Sequence, residues 1–266
     1  MNKEKVQSAL EWLTGRWWFY ALFLMVQVLP PVATRGFGTG GVPKFLAVHI
    51  MNNFIRSPDI AWLYPVSKII PILLVISIIF LGNKASRLFS IYAAAAYLLF
   101  NVLQNFSVTS TYGVGILTQN LVTMLLVSLC WLWEAFAGKN DMSPSKASFL
   151  KIAVLILAFV AFWDPIDTVT RGIDFSPALL VSNAGGLAFC MMTPVFLAAL
   201  IWFYPKVNLA LLRVNSLAGI IIGIFNVLVV FSNPSIYWWF GVLHIPLFAL
   251  GVYGLRLGLK RTSFKL

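Results

Sequence analysis

The chain has 266 residues, 60% hydrophobic and 10% charged, with a mean hydropathy of +0.89 and a formal net charge of +11. Soluble domains average about 45–50% apolar and about 25% charged residues, so this composition excludes an ordinary soluble enzyme, a disordered chain and a disulfide-rich secreted domain. Two cysteines supply neither a disulfide framework nor a metal cluster.

In chain order, eight apolar segments approach the ~20 residues that cross a bilayer. They are Trp17–Val32, Ala61–Leu81, Leu88–Phe106, Ile116–Phe136, Phe149–Trp163, Ser182–Tyr204, Leu209–Phe231 and Ile236–Leu257. The first and fifth are short. Gln27, Pro30 and Pro31 interrupt the first, and its polar leader is long for a signal peptide, so an uncleaved segment is expected.

Charge placement orients these spans. With both termini inside, Lys3, Lys5, Arg16, Lys84, Arg87, Lys139, Lys146, Lys151, Lys206, Arg213, Arg256, Lys260, Arg261 and Lys265 fall on the inner side. Arg35, Lys44, Arg56, Lys68 and Arg171 fall outside or at an outer span end. This follows the positive-inside rule, and the tryptophans cluster at span ends as an interfacial belt does. The expected location is a cell membrane, crossed several times, with cytoplasmic N- and C-termini. The positive excess then faces anionic lipid head groups, and a nucleic-acid partner is not expected.

The two halves resemble each other. Phe100–Tyr112 aligns with Phe225–Tyr237 at eight of thirteen positions, at an offset of 125. Arg87 and Ser90 match Arg213 and Ser216, Thr34-Arg35-Gly36 matches Thr170-Arg171-Gly172, and Pro71 matches Pro194. The expected fold is therefore an all-α polytopic membrane protein of about eight helices in two parallel four-helix repeats. Residues 1–138 form the first repeat, 139–148 a cytoplasmic linker and 149–266 the second repeat. The first half carries extra residues over 43–56. There His49, Asn52, Asn53 and Arg56 share one helical face, which reads as an amphipathic helix at the outer interface.

Polar residues collect in the outer third. Unpaired polar groups at membrane depth are costly, so they should face one another or a water-filled cavity. The candidate substrate-binding residues of this outward-facing vestibule are Arg35, Asn101, Gln104, Asp164, Asp167, Arg171, Asn226, Tyr237 and His244. Arg35 and Arg171 are repeat-related and could clamp an anion between them, since Arg binds planar anions in two-pronged fashion. Asn101 and Asn226 are the other repeat-related pair; asparagines in spans also simply join helices. Asp164-Pro-Ile-Asp167 has the spacing of a Mg²⁺-diphosphate motif, but no second acidic cluster accompanies it, and no metal site is expected. His49 and His244 could ligate one haem or act as an acid–base pair, or each could be a satisfied group in a packed helix. The sequence names no cofactor. Gly185, Gly186 and Pro194 permit close packing or local unwinding in the sixth span.

Three functions fit these features. The first is transport or binding of a small solute, anionic solutes included, between the repeats. The second is an enzyme acting on a lipid or isoprenoid at the outer leaflet, with Asp164, Asp167, Arg171 and His244 as its polar centre. The third is a non-catalytic subunit of a membrane complex. The expected partners are membrane lipids and a small-molecule or lipid substrate; the oligomeric state stays open.

Overall fold

The computed structural model describes residues 2–35, 58–110, 112–167, 170, 172–232 and 234–260. Its helices are α1 (Lys3–Thr14), α2 (Trp17–Val26), α3 (Leu63–Leu81), α4 (Asn83–Asn105), α5 (Thr118–Ala137), α6 (Phe149–Trp163), α7 (Leu179–Ser182), α8 (Phe189–Phe203), α9 (Leu209–Ser232) and α10 (Pro234–Leu259). Among the described residues, Leu63–Leu81, Asn83–Asn105, Thr118–Ala137, Leu209–Leu228 and Trp238–Leu259 are each long and apolar enough to cross a membrane. A sixth crossing is available if Leu179–Leu187 and Phe189–Phe203, bent by 95°, are one broken span. The all-α class holds for this body, and large apolar side chains such as Phe80 and Phe149 stand 80% and 84% exposed on its outside.

The ends of the short segments depart from unbroken spans. α2 has 10 residues, and α6 has 15. At 1.5 Å per residue, α2 rises only about 15 Å. The chain after it is held extended by Pro30 and Pro31, and Val32–Ala33 becomes strand β1. Phe106–Thr109 (β2) and Gly113–Ile116 (β3) complete a small antiparallel sheet in the order β1-β3-β2. The turn between β2 and β3 uses Gly113 at φ +65°, a conformation glycine adopts without steric cost. The amphipathic helix expected over 43–56 lies outside the described residues.

The core centres on α8. Most of its residues are buried, and Met192, Phe196, Leu197 and Leu200 have no exposed surface. Tyr97 of α4, itself buried, donates to Asn215 Oδ1 of α9 at 2.7 Å and lies 3.0 Å from Thr193 Oγ1 of α8. One phenol thus joins three helices. Phe89, Trp131 and Phe196 stack around the same axis at 5.8–6.0 Å between ring centroids. On the other side α9 and α10 pack so closely that a Cβ on Gly251 would lie 2.9 Å from Ser216 O and Ile220 N. Small residues permit such backbone approach, which is how apolar helices gain packing where lipid offers no hydrophobic contrast.

Candidate functional site at a broken helix

The break before α8 follows from its local sequence. Asn183 caps the short turn Ala184–Leu187, accepting from Gly185 N at 3.0 Å through Oδ1. Its Nδ2 donates outward to Trp163 O at 2.9 Å and Asp164 O at 3.0 Å, tying the break to the end of α6. Gly186 meets α3: a Cβ there would lie 2.4 Å from Ser67 Oγ and 2.7 Å from Ser67 C and O. Only glycine fits that contact. Beyond the break Phe189 N, at the start of α8, donates to the buried Gln104 Oε1 at 3.1 Å. A half-helix N-terminus carries unpaired N–H groups and a positive dipole end, and Gln104 satisfies one of them.

Two ionisable groups meet this turn. Lys68 of α3 is 0% exposed. Its ammonium donates to Phe162 O and sits 4.4 Å from the centre of the Phe162 ring. Asp164 ends α6 in the left-handed region, at φ 53°; aspartate is among the few residues found there without strong strain. A Cβ on Gly185 would lie 2.9 Å from Lys68 Nζ, 3.0 Å from Asn183 Oδ1 and 3.0 Å from Asp164 Cβ. Three polar side chains therefore converge over one glycine. Lys68 and Asp164 interact electrostatically but are not within ion-pair distance. Among the described residues, no hydrogen bond reaches the Asp164 carboxylate. Burial pushes that carboxyl up to about 6, with Lys68 pulling the other way. Removing an ammonium from water costs several kcal/mol unless geometry and hydrogen bonds compensate. Lys68 has three donors and, among the described residues, one hydrogen-bond acceptor.

The surroundings close this cluster from outside. Trp239 Nε1 of α10 donates to Pro165 O at 2.7 Å, and Trp163 Nε1 donates to Ser176 O at 3.1 Å. Phe175 stacks between these two indoles, 5.6 Å from Trp163 and 5.9 Å from Trp239. An Ile166–Ile173 bridge folds the intervening loop back on itself.

The nine residues marked by the sequence separate into groups. Asp164, Gln104 and Asn226 stand around the break: Gln104 caps α8, and Asn226 Nδ2 lies 3.6 Å from Cys190 Sγ in its first turn. Asp167 holds its own loop, its Oδ1 accepting from Thr170 N at 2.6 Å. Asn101 serves the α4–α5 pairing, donating to Leu121 O at 3.1 Å and accepting from Asn105 Nδ2 at 2.6 Å. His244 is 1% exposed, with Nδ1 2.7 Å from Phe240 O. Arg35 lies exposed beside the small sheet, its backbone N donating to Tyr112 O at 3.1 Å. Arg171, the Tyr237 side chain and His49 lie outside the described residues. Lys68 is the residue that the sequence reading left at a span end. Its signal was a lysine more than one turn inside an otherwise apolar helix, where a charge marks function or a specific partner.

No protein-family model, characterised protein or solved structure matches the chain.

Proposed function

We propose that this chain is an eight-span membrane protein of two four-helix repeats. In this reading it binds and carries a small solute bearing an anionic group at the broken helix. The carrying observation is the convergence of buried Lys68 and Asn183 with half-buried Asp164 over Gly185, at a span broken by 95°. Broken spans place half-helix ends and unwound backbone at a solute site, with the N-terminal end favouring anionic groups. The ammonium of Lys68 adds to that field, and Asp164 opposite it suits a solute that also carries a positive group. The repeat is supported by the two most extensive helix pairings, α4 with α5 and α9 with α10, which occupy corresponding places in the halves. The halves differ locally: Phe106-Ser107 starts a strand, whereas Phe231-Ser232 ends a helix. α2 and α6 would cross as short helices whose outer continuations are covered by protein, the arrangement irregular backbone needs at membrane depth.

The test is uptake by proteoliposomes of three labelled probes, acetate, succinate and alanine. The expected result is uptake of at least one above protein-free vesicles, reduced about tenfold or more by Lys68→Met, as loss of a charge-assisted contact implies. Uptake of none, or uptake unchanged in Lys68→Met, overturns the assignment.

A second reading draws on one further observation. An apolar groove of about 250 Å³ runs between α3, α6 and α8, lined among others by Pro71, Phe159, Phe162, Ala199 and Trp202. It shares Phe162 with Lys68. An enzyme acting on a lipid would lay the chain there and the polar head at Lys68 and Asp164. Ala199→Phe separates the readings: filling the groove stops lipid chemistry and leaves uptake of a water-soluble solute intact.

A further inference from the structure

The basic inner face carries a second polar cavity, independent of the broken helix. α3 ends at Leu81 with Gly82 as its cap, α4 starts at Asn83, and the segment after α5 meets that start, Met142 N donating to Asn83 Oδ1 at 2.5 Å. A cavity of about 390 Å³ opens between these parts, lined by Asn83, Ser86, Arg87 and Ser90 of α4 and by Glu134, Lys139, Asn140 and Asp141.

Its acids are already engaged. Glu134 Oε1 accepts from Asn140 N at 2.7 Å, and Oε2 accepts from Asn208 Nδ2 at 2.8 Å. Asp141 Oδ1 accepts from Asn83 Nδ2 at 2.8 Å and Ser143 N at 2.9 Å, while Oδ2 lies 3.4 Å from Lys206 Nζ. Both carboxylates already hold donors of the protein.

The donors are in surplus. Among the described residues the Arg87 guanidinium and the Lys139 ammonium have no hydrogen bond and no ion pair within 4.0 Å. The Lys139 backbone N–H donates to Glu134, while its ammonium acts on that carboxylate only electrostatically. Asn140 is 5% exposed, and its Oδ1 accepts from Asn208 N at 2.7 Å, which fixes the orientation of its amide. The Nδ2 on the other arm is buried without any acceptor. A buried donor left unpaired costs about 1–3 kcal/mol. The first turn of α4, a 23-residue helix whose N-cap Gly82 offers no side-chain cap, adds backbone N–H groups and the positive dipole end.

We propose that this cavity binds a phosphate group, with Arg87 and Lys139 as its cationic partners and Asn140 Nδ2 as its buried donor. Several donors arriving from different directions suit a group with three or four acceptor oxygens better than a planar carboxylate. The same chemistry is offered by a free phosphate and by the headgroup of an anionic phospholipid in the adjoining leaflet.

The experiment uses the full chain in neutral detergent and reads the melting midpoint against two probes. Inorganic phosphate is titrated against chloride at constant ionic strength, and phosphatidylglycerol in mixed micelles is titrated against phosphatidylcholine. A saturable rise with at least one probe is expected. A rise with phosphate alone assigns a soluble ligand; a rise with phosphatidylglycerol alone assigns a lipid headgroup. Arg87→Gln combined with Lys139→Gln weakens the apparent Kd about tenfold or more, since it removes two charge-assisted contacts. Both side chains are exposed, so folding is retained. Asn140→Asp keeps the acceptor for Asn208 N, replaces the donor by a charge, and also loses binding. Lys84→Gln, on the same face but outside the cavity lining, leaves binding unchanged. The proposal fails if neither probe gives a saturable rise, if the double variant binds as tightly as the parent, or if Lys84→Gln weakens binding equally.

Discussion

Lys68 and Glu134 are both buried ionisable side chains, at 0% and 1% exposure, and their surroundings differ. Glu134 sits in a reciprocal network. Its two oxygens take Asn140 N and Asn208 Nδ2. Asn208 in turn accepts from Gln7 Nε2 at 2.8 Å, and Gln7 Oε1 accepts from Trp133 Nε1 at 2.8 Å. Four parts of the chain, α1, α5, the segment after it and the start of α9, are tied through one carboxylate. Lys68 has a carbonyl, an aromatic face and an electrostatic partner beyond ion-pair reach. A satisfied buried network contributes stability and specificity, whereas a partly satisfied charge is held in place by the rest of the fold and stays available to a ligand.

The largest effect is expected at Glu134. Glu134→Ala removes two charge-assisted hydrogen bonds, from Asn140 N and from Asn208 Nδ2, the latter keeping only Gln7 Oε1 at 3.2 Å. Hydrogen bonds to a charged group contribute about 1.5–3 kcal/mol each. The melting midpoint in detergent should fall by an amount corresponding to about 3 kcal/mol or more, with Asn208→Ala close behind. If Glu134→Ala melts within error of the parent, the two regions are not different in kind. Gly186→Ala comes next. Its methyl would press into the Ser67 backbone, and overpacking of this sort costs about 1–3 kcal/mol. That variant should also shift the position of α3 against the break, read by crosslinking of cysteines placed at Tyr64 and Ala184, which share one apolar cluster.

How much of this was legible depends on how local each feature is. The membrane-length helices were, because apolar runs are continuous in sequence. The break was partly legible. Gly185, Gly186 and Pro194 all mark possible unwinding, yet the chain breaks at the glycines, and Pro194 sits inside an unbroken α8. The proline removes only one N–H, while the glycines admit the Ser67 backbone. Asp164 was legible as an isolated outer acid. Lys68 was not legible as its partner: residue type and position place it at a span end, and only the packing of α3 against the end of α6 and the broken turn encloses it. The strands were hidden for a related reason, since Val32–Ala33 pairs with residues more than eighty positions away. Pairing of Arg35 with Arg171 rests on repeat symmetry; Arg35 lies exposed just after β1, and Arg171 lies outside the described residues.

Lys68→Met sharpens the contrast from the other region. Removing one partner of a close buried ion pair is destabilising. Lys68, however, has no ion pair within 4.0 Å among the described residues. An apolar side chain of similar length in its place therefore leaves little attraction unmet and removes a desolvated charge. The expected change in melting is within about 1 kcal/mol of the parent, with solute uptake lost. A fall as large as that of Glu134→Ala would make Lys68 a structural group and remove it from the proposed site.

The smallest effect is a pH dependence carried by Asp164. Its carboxyl is raised by burial to about 6, against about 3.9 in an unfolded chain. The folded state therefore holds this proton more tightly than the unfolded one. The resulting stability is fully present below about pH 4 and is lost as pH rises through about 6, which follows from linkage. Melting curves taken from about pH 4 to about pH 8 should lose part of their slope in Asp164→Asn. Lys68 opposes the upward shift, so Lys68→Met should move the same transition to higher pH. If the slope survives unchanged in Asp164→Asn, the carboxylate is better solvated than its place over Gly185 implies.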